Sequence, residues 1–163
     1  MEGLDHLILG VNDLASGIDF VEQGTGVRAM YGGLHPGRGT QNALLSLGHR
    51  CYLEILAPDP RQPALSWFQH LPELAEPRLV GWMAHVEDIE ALAERLRGRG
   101  VEFEGPHESS RVRPDGRELR WKLLRLADNH QKVLQPALSS GAPLHHIPPR
   151  TRRQACIFSA WRQ

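Results

Sequence analysis

The sequence predicts an α+β fold built from two βαβββ modules, and three observations carry that prediction. Leu4 matches Leu79, Val11 matches Val86, Asp13 matches Asp88 and Leu14 matches Ile89, all at one offset of 75 residues. Each copy runs from an apolar strand through an Asp to an amphipathic helix, then a Gly and a strand opening on Val; Gly26-Val27 falls on Gly100-Val101 after a one-residue slip. The chain's 163 residues, 40% hydrophobic and 23% charged, suffice for one sizeable core, and the 16 Gly and 12 Pro fall at turn-like intervals rather than in a low-complexity block.

In the first copy, residues 4–9 have the β-rich apolar content of a strand. Asn12-Asp13 supplies an N-cap ahead of Leu14, Ile18 and Val21, and Gly24-Thr25-Gly26 ends that helix. Strands are expected at residues 27–31, 42–47 and 52–56, with turns at Gly32-Gly33 and Gly48-His49-Arg50. The second copy opens with a strand at residues 79–86, after which Asp88 caps a helix with the apolar face Ile89, Leu92, Ala93 and Leu96. Gly98 and Gly100 end it, strands follow at residues 101–103, 119–126 and 131–134, and Pro114-Asp115-Gly116 marks a hairpin-like turn. The expected organisation is a first module at 1–57, a Pro-rich linker or lid at 58–78 with one helical turn at 65–68, a second module at 79–136 and a basic irregular tail at 137–163, together one compact domain.

Several function classes are disfavoured at this stage. The longest apolar runs fall well short of the roughly 20 residues needed to span a bilayer, and the first residues lack a basic start followed by an apolar stretch, so a soluble cytoplasmic protein is expected. Cys51 and Cys156 cannot make a disulfide framework and read as reduced thiols without a role. All 19 acidic residues precede residue 129, whereas the tail holds Lys132, Arg150, Arg152, Arg153 and Arg162 without an acid. Nucleic-acid binding by so sparse a set of charges is disfavoured against a solvated end, or one lying on the acidic body.

Two βαβββ copies, with Leu4-Asp5-His6-Leu7 in the first strand and Tyr52-Leu53-Glu54-Ile55 in the fourth, resemble the vicinal oxygen chelate superfamily of glyoxalase I, bleomycin-resistance proteins and extradiol dioxygenases. Within it, the run from His35 to Gly48, Tyr52 to Pro60, Arg78-Leu79-Val80-Gly81-Trp82 and Arg113 to Trp121 is similar to a glyoxalase-like domain subgroup of bacterial proteins. The resemblance covers roughly residues 3–128 and implies a curved, incompletely closed mixed sheet around a cleft, a homodimer, and often a divalent metal such as Zn, Ni, Mn or Fe. Its ligand positions are the first and last strands of each half. His6 and Glu54 match them in the first half; in the second, the offset puts Gly81 in place of His6, and aligning Leu56-Ala57-Pro58 with Leu134-Gln135-Pro136 puts Lys132 in place of Glu54. Two donors make a weak site for such ions, and His85 lies about 13 Å along the strand from Gly81. His130 and Gln131 are substitutes only if that alignment slips.

His6 and Glu54 are therefore candidate catalytic residues, as metal ligands or as a metal-free acid/base pair, against the alternative of a structural buried pair. His35, Arg38, Thr40 and Asn42 surround Gly37 and Gly39 and are expected to contact an anion or carbonyl, the alternative being a surface turn. Trp82 and Trp121 either line the ligand cleft or pack in the core, and His145-His146 reads as an exposed loop. The expected function is a small organic ligand bound in the cleft, with lyase or isomerase chemistry beside a carbonyl; the alternative is non-catalytic sequestration of the bleomycin-resistance kind.

Overall fold

The computed structural model describes residues 3–48, 51–62, 65, 68–126 and, for the main chain only, 135–141. The first half runs β1 (Gly3–Gly10), α1 (Leu14–Thr25), β2 (Met30–His35), β3 (Thr40–Gly48) and β4 (Cys51–Pro58). The second runs β5 (Arg78–His85), α2 (Ile89–Gly98), β6 (Phe103–Val112), β7 (Glu118–Leu126) and β8 (Gln135–Gly141). Both helices start where the sequence caps them: the Asp13 carboxylate accepts from the Ser16 amide at 2.8 Å and that of Asp88 from the Ala91 amide at 2.9 Å. No helix among the described residues is long and apolar enough to cross a membrane.

The strands follow one another in the order β1-β4-β3-β2-β6-β7-β8-β5 and curl until β5 meets β1. Pairs β1–β4 and β5–β8 are parallel and the rest antiparallel. Between β2 and β6 the contact is the single register pair Leu34–Val112, so the curved mixed sheet is barely closed on that side.

The register carries the signature of the repeat. In the β1–β5 ladder His6 pairs with Met83 and Ile8 with Gly81; advancing one member of a pair by 75 residues and moving the other back by 75 turns the first pair into the second. A local two-fold between the halves requires this. Because paired residues share a face, His6, Ile8, Tyr52, Glu54, Leu56 and Asn42 look inward. The opposite face carries Leu9, Val11, Ala43, Leu45, Ile55 and Ala57, which pack against Leu14, Ile18 and Val21 of α1. On the second half Ile89, Leu92, Ala93 and Leu96 of α2 cover Leu124, Leu126, Val86 and Phe103. Inside, Ile8, Leu56, Leu71, Leu74 and Val80 form a separate apolar cluster.

Three local expectations need correction, and a fourth falls outside the described residues. Gly32-Gly33 is no turn but a bulge inside β2. A side chain at Gly33, where φ is 136°, would come within 1.9 Å of the Val112 carbonyl oxygen, so glycine is what lets β6 approach. The strand placed at 101–103 is the ten-residue β6, whose polar content of Glu, His, Ser and Arg hid it. In the linker, residues 65 and 68 are not helical, and the helix described there is a short 3-10 turn, Leu71–Glu73, which follows Phe68 and His70 and has Pro72 in it. The last strand is β8, beginning at Gln135, and residues 131–134 lie outside the described residues, as do Trp67, Lys132, His130, Gln131, His145, His146, Cys156 and the tail beyond 141.

Candidate functional site

The inward faces of β1, β3 and β4 bring three widely separated side chains together. The carboxylate of Glu54, 7% exposed, faces the His6 Nε2 at 3.3 Å through Oε2 and accepts from the Asn42 amide Nδ2 at 2.6 Å through Oε1. His6 is fixed on both sides, with Nδ1 3.2 Å from Asp5 Oδ1 and its ring stacked on Tyr52 at 4.4 Å between centroids. His35, at the end of β2, places Nε2 3.8 Å from Glu54 Oε1 and 3.3 Å from Asn42 Nδ2. Its Nδ1 is 2.8 Å from Thr40 Oγ1. With Asn42 donating toward Nε2, the neutral ring carries its proton on Nδ1 and gives it to Thr40.

Electrostatics sort these groups into distinct states. Burial alone would raise the carboxyl of Glu54, but the hydrogen bond and charge of His6, with His35 and the Asn42 amide, outweigh it and hold the pKa below the usual carboxylate range. Burial likewise opposes protonation of His6, yet hydrogen bonds to Asp5 and Glu54 and the charges of both leave its pKa raised. His35 goes the other way. Its burial, against the pull of Glu54 and aided by the positive charges of Arg111, His6 and Arg38, lowers the pKa to about 4. At neutral pH the site thus holds the Glu54 carboxylate, the neutral His35 imidazole and a guanidinium, together with His6, whose affinity for a proton is raised.

That guanidinium belongs to Arg111 of β6, which the sequence analysis passed over. Arg111 is 5% exposed, and its charge and that of Glu54 interact. A usable signal existed: pairing outward from the Pro114-Asp115-Gly116 turn sets Ser109 opposite Trp121 and Arg111 opposite Leu119, on one face of the hairpin. Gly32 makes room there, since a side chain on it would meet Asn42 Oδ1 at 2.3 Å and Arg111 Nη1 at 2.9 Å.

Of the residues singled out from sequence, His6, Glu54, His35, Thr40 and Asn42 are brought together by the contacts above. Trp121 joins them, its ring edge-on to His35 at 6.5 Å and packed with Met83 and Leu123. Arg38 is half-buried and donates from Nη2 to the Glu108 carbonyl at 3.1 Å, tying the β2–β3 turn to β6. Gln62 holds the same turn by accepting from the amides of Gly37 and Gly39. Trp82 is not brought to the site: it pairs with Leu7, between the inward-facing Gly81 and Met83, and so faces the other way.

A divalent metal finds a poor set of donors here. His6 and Glu54 converge, and Asp5 backs the His6 ring as outer-shell carboxylates do for metal-bound imidazoles. Among the described residues the other half supplies nothing comparable. Gly81 stands where the repeat calls for a second histidine. In β8, the register pairs Gly81 with Gln135 and Met83 with Ala137, just as His6 pairs with Tyr52 and Ile8 with Glu54, so Ala137 rather than Lys132 occupies the counterpart of Glu54. Among the described residues no group of three His, Cys, Asp or Glu side chains could hold a metal ion. These residues do not fit a divalent chelate.

Comparison with known proteins agrees with this architecture. A family described as a glyoxalase-like domain matches residues 4–152. No curated protein matches the chain. Among solved structures, a hypothetical protein from Staphylococcus aureus superposes with a TM-score of 0.70 at 22% identity, over 86% of this chain and 59% of that one. The chain thus spans about three fifths of that protein's length. Methylmalonyl-CoA epimerase from Mycobacterium tuberculosis gives 0.64 at 22% identity, over 86% and 89% of the two chains. A single-substitution form of the Streptomyces coelicolor methylmalonyl-CoA epimerase, in complex with 2-nitronate-propionyl-CoA, gives 0.63 at 19% identity, over 86% and 94%. At these identities the likeness speaks for the fold, and the family match has one consequence: the chain belongs to the glyoxalase-like domain family.

Proposed function

We propose that this protein binds a small organic carbonyl compound in the cleft and moves a proton on the carbon beside the carbonyl, as an isomerase or lyase, in a cytoplasmic homodimer of the kind the resemblance implies. The observation that carries the reading is the Glu54 carboxylate, buried yet ionised and surrounded by His6, Asn42 and His35. The carboxylate is ionised and so able to accept a proton; its burial favours that transfer, while the contacts with His6, His35 and Asn42 that keep it charged weaken it as a base. In the step proposed, the carbon–hydrogen bond breaks, the proton passes to Glu54 and the electron pair moves onto the carbonyl oxygen. The guanidinium of Arg111 stabilises the resulting oxyanion, and Glu54 returns the proton to carbon. Epimerase neighbours of the same fold perform chemistry of this class under their printed names, which supports the reading.

A second reading, sequestration without turnover, rests on the aromatic rings around the same groups, Tyr52 on His6 and Trp121 against His35. Deuterium exchange separates the two. In D2O, a panel of α-hydroxy ketones, 2-oxo acids and acyl thioesters including methylmalonyl-CoA is followed by proton NMR. Loss of an α-proton signal with the wild-type protein, abolished in Glu54→Gln, is the expected result. Ligand binding with no exchange above the buffer rate overturns the catalytic reading in favour of sequestration.

A further inference from the structure

Two buried polar atoms of the site have no hydrogen-bond partner among the described residues: Nε of Arg111 and Oδ1 of Asn42. Their side chains are 5% and 2% exposed, and both reach the space over Gly32. Arg111 also lacks a carboxylate within ion-pair distance among the described residues; Glu54, whose charge it feels, is bonded to Asn42 and His6 instead. A guanidinium cannot shed its proton to escape burial. Burying a cation unpaired is among the more costly arrangements in a fold, and an orphaned amide oxygen adds to that cost. Nη1 of Arg111 and Oδ1 of Asn42 both border Gly32, so a cation stands near an acceptor that has no partner among the described residues, an arrangement complementary to one chemical pattern: an anion with a hydroxyl or N–H next to it.

We propose that the cleft recognises small organic acids carrying a hydroxyl or N–H group near the carboxylate, with Arg111 taking the carboxylate and Asn42 Oδ1 accepting from the neighbouring donor, independently of any metal. This rests on the ligand-binding reading above and names its substrate class. It also explains Gly32, the residue that leaves the space in which the two side chains meet. The basic residue supplied by β6 thereby does in the second half what Gly81 and Ala137 cannot, which is to meet a negatively charged ligand oxygen.

The test uses the full chain, dialysed against EDTA, and calorimetric titration with glycolate, acetate and methyl glycolate. Glycolate is expected to bind at least about tenfold more tightly than methyl glycolate, which lacks the charge, and more tightly than acetate, which lacks the hydroxyl; a charge-assisted hydrogen bond in a dry site is worth a factor of that order. Arg111→Gln should remove the preference for the acid and Arg111→Lys should keep part of it, while added Zn or Mn should leave the wild-type affinity unchanged. Thermal unfolding of Arg111→Gln without ligand should be unchanged or shifted upward, because an unpaired buried cation has gone. Equal binding of glycolate and methyl glycolate, no binding of any of the three, or undiminished acid preference in Arg111→Gln each overturns the proposal. So does a fall of several degrees in the unfolding temperature of Arg111→Gln, which would make the arginine a structural member. None of these results bears on the deuterium exchange that tests proton transfer, so the two readings fail separately.

Discussion

Acidification from pH 6.5 to 4.5 will destabilise the folded chain, and His35 sets the size of the effect. Its imidazole has an ordinary pKa of 6.5 that burial lowers to about 4 in the fold. Between those values the unfolded chain takes up a proton that the folded chain refuses, so stability falls with pH at up to about 1.4 kcal/mol per unit, or somewhat under ~3 kcal/mol over the two units. The other members of the site are quiet in that window. His6, with its pKa raised above 6.5, contributes stability that is fully present below 6.5 and is lost as pH rises through its folded value. Glu54, with its pKa lowered from 4.5, contributes stability that is present above 4.5 and is lost as pH falls toward its folded value. Urea unfolding followed by tryptophan fluorescence at pH 6.5, 5.5 and 4.5 measures the effect. With a slope of roughly 1–3 kcal/mol per molar urea, the wild-type midpoint should fall by about 1–2 M, and most of that fall should vanish in His35→Gln. A wild-type midpoint that does not move, or an equal fall in the variant, would refute the assignment of a neutral, buried His35.

Three further outcomes follow from the same geometry. Gly32→Ala forces a methyl group against Asn42 Oδ1 at 2.3 Å and should cost about 1–3 kcal/mol of unfolding free energy, read by the same urea titration. Asp13→Ala removes the carboxylate that accepts from the Ser16 amide and should cost about 1 kcal/mol, seen as a lower unfolding midpoint with the circular dichroism of the native state unchanged. Protein incubated with Zn, Ni or Mn and then desalted should retain well under one ion per chain by elemental analysis; a full equivalent that is lost in the His6→Ala/Glu54→Ala double variant would contradict the donor set described here.

The repeat was legible because it lives in residues that backbone physics demands twice: the capping aspartates Asp13 and Asp88, the apolar helix faces and the glycines that end each helix. Pairing β1 with β5 follows from that repeat. His6 and Glu54 stood out because a charged or titratable side chain inside an apolar strand must be satisfied by something. Other features were invisible because they depend on pairs of strands far apart in sequence. Gly32-Gly33 has the composition of a turn, and only the approach of Val112 across the β2–β6 seam shows why a strand contains it. Trp82 and Trp121 look alike along the chain; the partner strand decides that one faces the site and the other does not. Arg111 hid in a polar strand whose alternation is weak, and its importance emerges once Asn42 and Glu54 are folded beside it.

At the centre of the site is a carboxylate that stays ionised although it is buried. Carbon-13 NMR of glutamate-labelled protein, with Glu54 assigned by comparison with Glu54→Gln, follows that group directly as pH is lowered. The expected result is the shift of an ionised carboxylate with no inflection at or above pH 4.5, the ordinary value for the residue. An inflection above 4.5 would mean that burial, rather than His6 and Asn42, governs Glu54, and would contradict the site as described.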